Sequence, residues 1–139
     1  MEFTWKKILA ICIACVVLIL GPVFILFSNT VPDYCQARID KNPTDPNSKW
    51  LQMKIAELCF KTWRYEKAEK AYYTYYERYV EDPEREYALY RWCLCREETQ
   101  SSRDAIKAFE WFLEQYPEGK HSQDAKDGIV RIKYHKAAK

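Results

Sequence analysis

The chain is poor in the residues that phosphate loops and metal centres need. It has three glycines and two histidines in 139 residues. Gly21, Gly119 and Gly128 are too far apart to form a glycine-rich phosphate loop. His121 and His135 are fourteen residues apart (135 minus 121), so they cannot share a metal ion across one or two helical turns, and we expect both to be solvated. These absences predict no metal, no cofactor and no small-molecule substrate.

Cysteine is present, but not in a reactive spacing. The six cysteines form no CxxC or CxxCH motif, so thioredoxin-like chemistry and haem attachment are unsupported. Cys93 and Cys95 are only two residues apart, which is not a zinc spacing. We interpret the cysteines as small apolar residues, although Cys59 and Cys95 on adjacent helices would be able to form a disulfide in an oxidising compartment. No histidine accompanies a nucleophile in a recognisable motif, so we predict that the protein is not an enzyme.

An excess of one charge is also missing after the first seven residues. There, 20 basic residues (22 minus 2) face 19 acidic residues (20 minus 1). No basic stripe stands out, so we do not expect nucleic acid as a partner. The carboxylate pairs Glu81-Asp82 and Glu97-Glu98 are typical of solvated helix ends.

The chain does contain one long apolar run, residues 8–27, behind Lys6 and Lys7. At ~1.5 Å per residue, such a helix spans the ~30 Å hydrocarbon core of a membrane. A cleaved signal peptide would have a shorter apolar region and a better cleavage site than the one after Phe27. A lipoprotein signal fits poorly too, because the run continues well past Cys15. We therefore predict a retained single-pass transmembrane helix over 8–27, after a flank at 1–7.

The two lysines before the run also predict its orientation. Positive residues stay on the cytoplasmic side, so the flank at 1–7 is expected inside and the rest of the chain outside, on the periplasmic side in a bacterium. Trp5 and Tyr34 suit the two membrane interfaces as aromatic anchors.

Small residues form a stripe along this helix, at Ala10, Ala14 and Gly21. Such a stripe lets another transmembrane helix approach closely. The alternative is that the stripe faces lipid, because alanine and glycine are common in membrane helices. The motif favours neither interpretation.

The remainder of the chain is expected to be helical. It has few β-branched runs and no alternating pattern. We predict a prolyl linker over 28–48, in which residues 33–40 can form two helical turns, and a domain over 49–139. The helices of this domain are predicted at 48–62, 66–81, 84–98, 102–115 and 121–136.

An internal repeat runs through the predicted domain. The segment 66–72 aligns with 103–109 at an offset of 37 residues (103 minus 66). In this alignment each alanine matches an alanine, and most aromatic residues match an aromatic residue. This pattern is typical of stacked antiparallel helix pairs. The matched pairs are Ala68 with Ala105, Ala71 with Ala108, Tyr72 with Phe109, Tyr75 with Phe112, Tyr76 with Leu113, Tyr79 with Tyr116 and Ala88 with Ala125.

This pattern, and above all the segment 105–119, resembles the tetratricopeptide repeats of bacterial envelope proteins, which include outer-membrane assembly lipoproteins and cell-division coordinators. The resemblance covers about residues 49–136 and implies an all-α fold, with one transmembrane helix followed by a tetratricopeptide-like solenoid of about five helices. The offset exceeds the ~34 residues of the family, and Trp63 or Gln100 replaces the turn glycine, so the repeat is degenerate. An unrelated helical bundle is the alternative.

The resemblance also implies where a partner binds. In tetratricopeptide domains the first helix of each repeat lines a concave groove. The partner-binding groove predicted from these positions consists of Trp50, Met53, Phe60, Tyr87, Tyr90 and Leu94, and the same positions place Glu57, Glu97, Asp124, Asp127, Arg131 and Tyr134 beside them. Such apolar and aromatic residues suit a protein partner. The alternative is that several of them cover a neighbouring helix.

The sequence therefore predicts a non-catalytic, membrane-anchored protein-interaction module. Two and a half repeats are few for an independent solenoid, so we expect a permanent partner to cover the apolar end, as in an accessory or scaffold subunit of a larger membrane complex. The runner-up is an envelope assembly or chaperone-like adaptor that binds client proteins transiently. A redox protein using Cys59, Cys93 or Cys95 is a third alternative.

Overall fold

All the regular secondary structure in the described residues is helical. The computed structural model describes residues 2–135, and predictions that concern Met1 and residues 136–139 lie outside it. The predicted all-α, tetratricopeptide-like class is confirmed, with no strand in the described range. In chain order the helices are α1 (Glu2–Phe27), α2 (Thr30–Lys41), α3 (Pro46–Lys61), α4 (Tyr65–Arg78), α5 (Arg85–Thr99), α6 (Ser102–Gln115) and α7 (Ser122–His135).

The apolar run forms a single exposed helix, α1. Within it, Lys7–Ile25 is long and apolar enough to cross a membrane, with a mean hydropathy of 3.1 and none of it buried. The helix continues through Pro22. A side chain built at Gly21 would meet no atom within 4 Å. The stripe that includes Gly21 therefore lies open along α1, and its role in helix packing stays a prediction.

The segment predicted as a linker contains a packed helix, α2. Pro32 and Ile39 are buried on it. Its Gln36 amide donates to the side chain of Gln52 on α3 at 3.2 Å, and Asp33 pairs with Lys67 at 2.7 Å. The two turns expected at 33–40 thus extend to three, because an apolar face of α2 finds a surface on the next helix. The folded unit includes α2.

Side-chain caps start α3 and α6. Asp45 starts α3 by accepting a hydrogen bond from the Asn47 N–H at 2.8 Å, so the helix begins slightly before the predicted caps at Asn47 or Ser48. Ser101 caps α6, as one of two predicted residues. The end of α4, at Arg78, falls three residues before the predicted one (81 minus 78), since Asp82 organises the turn that follows.

The repeat pairs occupy equivalent places in the core. Ala68 and Ala105 are both 0% exposed, and so are the rings of Tyr72 and Phe109. α3 packs on α4, α5 on both α4 and α6, and α6 on α7. Small residues thus lie where the helices approach closely, and large rings fill the wider spaces, as the offset of 37 predicts.

The turns inside the two repeats differ in backbone conformation. Trp63, at one of the positions where a turn glycine was expected, has a φ of 57°. Gln100, which closes α5 at the equivalent position, has a φ of −117° and stays extended. Only the first turn therefore uses the left-handed conformation that glycine adopts easily.

Candidate interaction surfaces

The predicted groove residues do not form one open surface. Trp50 on α3 is 61% exposed, whereas Met53 is only 4% exposed and lies in the core with Ala56 and Tyr72. Phe60, Tyr87, Tyr90 and Leu94 are half-buried. Met53 lies one helical turn before Ala56 and is mostly buried, but it also lines the cleft beside Trp50, so its part in the groove stays a prediction.

Arg91 joins the half-buried rings of the first two repeats. Its guanidinium carbon lies 3.8 Å from the ring centre of Phe60 and 5.7 Å from that of Tyr87. Its Nε donates a hydrogen bond to the Tyr72 hydroxyl at 3.3 Å. Phe60 and Tyr87 are thus held by a cation between them. The sequence pattern gave no signal for Arg91, because the contact depends on two helices that are distant in the chain.

Tyr90 is stacked on a histidine that was expected to be solvated. The Tyr90 and His121 ring centres are 4.8 Å apart with an interplanar angle of 3°. The His121 side chain is 19% exposed. The expectation for His121 was wrong because the loop before α7 folds back onto α5, where the Glu86 carboxylate accepts a hydrogen bond from the His121 N–H at 2.8 Å. The side chain of His135 lies outside the described part.

Glu97 is a paired, buried carboxylate and not a solvated helix end. Its side chain is 12% exposed. Arg131 on α7 donates from Nε at 3.0 Å and from Nη2 at 2.6 Å to its two oxygens. This hydrogen bonding raises the pKa of the Arg131 guanidinium. The geometry clamps α7 to α5 in the bidentate manner that favours arginine.

Asp82 is a second carboxylate that was predicted to be solvated. Its side chain is 7% exposed. It accepts hydrogen bonds from the Tyr75 hydroxyl at 2.9 Å and from the Glu84 N–H at 2.8 Å, and it pairs with Lys49. Burial acts to raise the pKa of Asp82, but these hydrogen bonds and the charge of Lys49 outweigh it and lower the pKa. Asp82 is therefore a structural hub of the first repeat.

Two adjoining clefts are the open part of the predicted groove. One has a volume of about 420 Å³ and runs beside Trp50, Lys54 and Glu57. The other, of about 390 Å³, runs beside Tyr87 and His121. Both are lined by Glu57, Pro83 and Glu84. The clefts combine an exposed indole with several carboxylates, so this surface is more polar than the sequence predicted.

An aromatic cleft that the groove prediction missed lies between α4, α5 and α6. It has a volume of about 490 Å³, and its walls include Tyr73, Trp92 and Trp111. The Trp92 ring centre is 5.5 Å from that of Tyr73 and 5.5 Å from that of Trp111. Arg96 lies over Trp92 at 5.0 Å. In the sequence, the one indication of this cleft was Tyr73, because the repeat alignment gives it no position in the core.

The last helix leaves an apolar pair uncovered. Val130 is 52% exposed and Tyr134 is 77% exposed. They are four residues apart (134 minus 130) and so lie on one face of α7. On the opposite side, Ile132 is buried against the second repeat at 2% exposure. α7 is the first helix of a third repeat, and the described chain does not pair it with a second helix.

The cysteines are placed for packing. Cys59, Cys93 and Cys95 are buried free thiols. Burial raises the pKa of the Cys59 and Cys93 thiols, and it raises that of Cys95 to about 12. The reactive thiolate is therefore disfavoured, which does not support the redox alternative. Among residues 2–135, no three His, Cys, Asp or Glu side chains are grouped as metal ligands.

The fold and these surfaces define a tetratricopeptide-like helical protein whose repeat unit follows an apolar N-terminal helix. The family model YfiO, described as outer membrane lipoprotein, matches residues 33–139. The chain belongs to this family. The matched range begins after α1, and no curated protein matches the chain. Family and apolar helix together indicate a membrane-associated envelope protein of a generally non-catalytic, protein-binding type.

Proposed function

We propose that the protein is an accessory or scaffold subunit of a larger membrane protein complex in the cell envelope. In this proposal α1 is a single-pass transmembrane anchor with its N-terminus in the cytoplasm, and α2–α7 lie on the periplasmic side. The charge of Lys6 and Lys7 before the apolar helix supports this orientation. The family match supports an envelope location.

The observation that carries the proposal is the uncovered face of α7. In a helical solenoid each repeat buries its apolar face on the next, so a last repeat needs a polar cap. Val130 and Tyr134 are exposed at this place and are apolar or aromatic. Their i, i+4 spacing suits an amphipathic helix of another subunit, which would pack on this face of α7.

The clefts around Trp50 are a second candidate contact surface. Trp50 is an exposed tryptophan beside Glu57 and Glu84, and exposed tryptophans in clefts are frequent hot spots. Tyr90 and Leu94 are less suitable probes of this surface, because Tyr90 packs on His121 and Leu94 on the second core cluster. In this proposal the stripe Ala10, Ala14 and Gly21 is a third contact, within the membrane.

Co-purification in mild detergent tests the proposal. The full chain should retain partner subunits in fixed stoichiometry, and Val130→Ser with Tyr134→Ser should release them. Val80→Ser is the matched control, because Val80 is 53% exposed but lies in the turn before α5. Circular dichroism verifies that the variants are folded. Full retention of the partner by the α7 double variant would remove this face from the proposal.

The second candidate is an assembly or chaperone-like adaptor, which the family description of an outer membrane lipoprotein favours. An adaptor would co-purify with its clients in variable, substoichiometric amounts, and crosslinking would increase the yield. Stoichiometry therefore separates the two functions.

Topology is tested by labelling a cysteine introduced by Lys139→Cys, a position outside the described residues. The proposed orientation predicts labelling by a membrane-impermeant reagent in cells whose inner membrane is intact. Labelling that requires opening of the cytoplasm would reverse the orientation.

A further inference from the structure

Trp63 is a bulky residue held in an unfavourable backbone conformation with its ring in the open. Its φ is 57°, and it is the one non-glycine residue with positive φ in the range 2–135. Its side chain is 71% exposed. A positive φ is sterically unfavourable for a large side chain. An exposed indole makes few packing contacts within the fold that would offset this cost. Such an outlier points to a role outside the core.

The turn that carries Trp63 lies beside the end of α1. Arg64 donates from Nη1 to the carbonyl oxygen of Ser28 at 2.6 Å, one residue after α1 ends at Phe27. Asn29 and Trp63 line the same surface cleft. At the start of α4, Lys67 pairs with Asp33 in the first turn of α2. Two independent contacts thus hold the α3–α4 turn where the chain leaves the apolar helix.

We infer that Trp63 inserts its indole ring into the headgroup layer of the lipid bilayer and so holds the α2–α7 unit against the membrane surface. The inference rests on the proposed transmembrane position of α1. Tryptophan is enriched at membrane interfaces because its ring is apolar and its N–H can remain hydrated. Tyr34, 70% exposed on α2, provides a second aromatic ring close to the same exit point.

The charges around Trp63 indicate which lipid chemistry to expect. Lys61, exposed at the end of α3, is placed to extend its ammonium group toward phosphates. Glu66 and Glu98 line the cleft beside Trp63 together with Arg64 and Lys67, so the charges there are balanced and a strong preference for anionic lipids is not expected. The occupant is the zwitterionic headgroup region itself.

The same helix contains a matched control. Trp50 is also a tryptophan, is 61% exposed and lies near the other end of α3. Residues 50 and 61 are roughly 17 Å apart along the axis of α3, over eleven positions at ~1.5 Å per residue. A membrane contact at Trp63 should therefore leave Trp50 in water.

The test uses the full chain labelled with 5-fluorotryptophan in phosphatidylcholine nanodiscs. The chain has five tryptophans, whose ¹⁹F resonances are assigned from single Trp→Phe variants. A phosphatidylcholine with a nitroxide on its headgroup is added, and line widths are compared before and after reduction with ascorbate. We expect several-fold stronger broadening at Trp63 than at Trp50, and strong broadening at Trp5 before the apolar run.

The outcomes separate this inference from the anchor on which it rests. Broadening at Trp5 but no more at Trp63 than at Trp50 would overturn the Trp63 contact and leave the anchor intact. No broadening at Trp5 or Trp63 would overturn the anchor and the contact with it. Trp63→Gly removes the resonance at position 63 and so confirms its assignment, and it should raise Tm by relieving the backbone.

Discussion

The two helical repeats fill the same backbone positions with different chemistry. At the offset of 37, Tyr72 and Tyr75 of the first repeat correspond to Phe109 and Phe112 of the second, and all four are at most 1% exposed. The tyrosine hydroxyls in the first repeat contact Arg91 and Asp82. The second repeat has no hydroxyl to satisfy at these positions. At these two positions the first core thus adds polar contacts at its edge, whereas the second relies on packing.

The difference extends to the charged residues at the start of each repeat. Lys49 pairs with Asp82 in the first repeat, and the equivalent positions in the second are Glu86 and Gly119 (49 and 82 plus 37). There the Glu86 carboxylate accepts from the His121 N–H instead. A side chain at Gly119 would lie 2.6 Å from the Glu86 Oε1, so glycine leaves room for this contact. One backbone arrangement thus supports an ion pair in one repeat and a helix-start hydrogen bond in the other.

The largest effect on stability is expected from Phe109→Tyr, which gives the second repeat the tyrosine that the first repeat has at the equivalent position. A β-carbon at Gly128 would lie 3.0 Å from the Phe109 Cζ, so a hydroxyl at that atom would press on α7. We expect a loss of about 3 kcal/mol from overpacking and an unsatisfied hydroxyl together. Urea unfolding of residues 28–139 measures it. If Phe109→Tyr lowers the free energy of unfolding no more than the reverse change, Tyr72→Phe, the proposed difference between the two cores is contradicted.

The next effect comes from the alanines that the two repeats share. Ala105→Leu and Ala68→Leu should each cost about 2 kcal/mol, because both residues are fully buried where helices approach closely. Thermal melts of the same fragment report the change. An unchanged Tm in either variant would show that the two positions are not equivalent close contacts.

Tyr75→Phe gives the first repeat the side chain of the second. It removes the hydrogen bond to Asp82 and should cost about 1 kcal/mol. Tyr79→Phe is the control, because the Tyr79 hydroxyl donates to the Pro43 carbonyl at an exposed site and should cost less. If urea unfolding shows equal losses of unfolding free energy for the two variants, burial of Asp82 does not strengthen its hydrogen bond with Tyr75.

Trp63→Gly sharpens the comparison of the turns. Glycine adopts the positive φ of Trp63 without steric cost, so we expect a gain of about 0.7 kcal/mol after the loss of chain entropy is included. At the equivalent position Gln100→Gly should not stabilise, since the φ there is −117°. A gain in both variants, measured by denaturant midpoints, would exclude backbone strain as the cause.

The smallest expected effect is the pH dependence that Asp82 gives to the first repeat. The pKa of Asp82 is lowered in the folded state, so its contribution is present above the ordinary aspartate pKa of ~3.9 and is lost as pH falls through the folded value. Lys49 is 45% exposed, so solvent screening limits the size. Asp82→Asn should flatten this part of the stability profile. Asp104 also has a lowered pKa, because it accepts a hydrogen bond from the Ser101 hydroxyl, so Asp104→Asn should remove a separate contribution at an exposed site.

The sequence by itself determined the features that depend on local period and residue size. The apolar run predicted α1, and the recurrence of alanine and aromatic residues predicted the paired helices and their buried faces. The clefts beside Trp50 could be anticipated only in part, because the repeat resemblance indicates a side of the solenoid but not which residues of that side stay exposed.

Only the tertiary structure decided which residues meet across helices. Glu97 and Arg131 are 34 residues apart in the chain, and Tyr90 and His121 are 31 apart (121 minus 90). The packing of α2 on α3 likewise turned an expected linker into part of the core. The physical reason is that a helical pattern specifies which face is buried, whereas the partner of a polar or aromatic side chain depends on the angle and register at which separate helices pack.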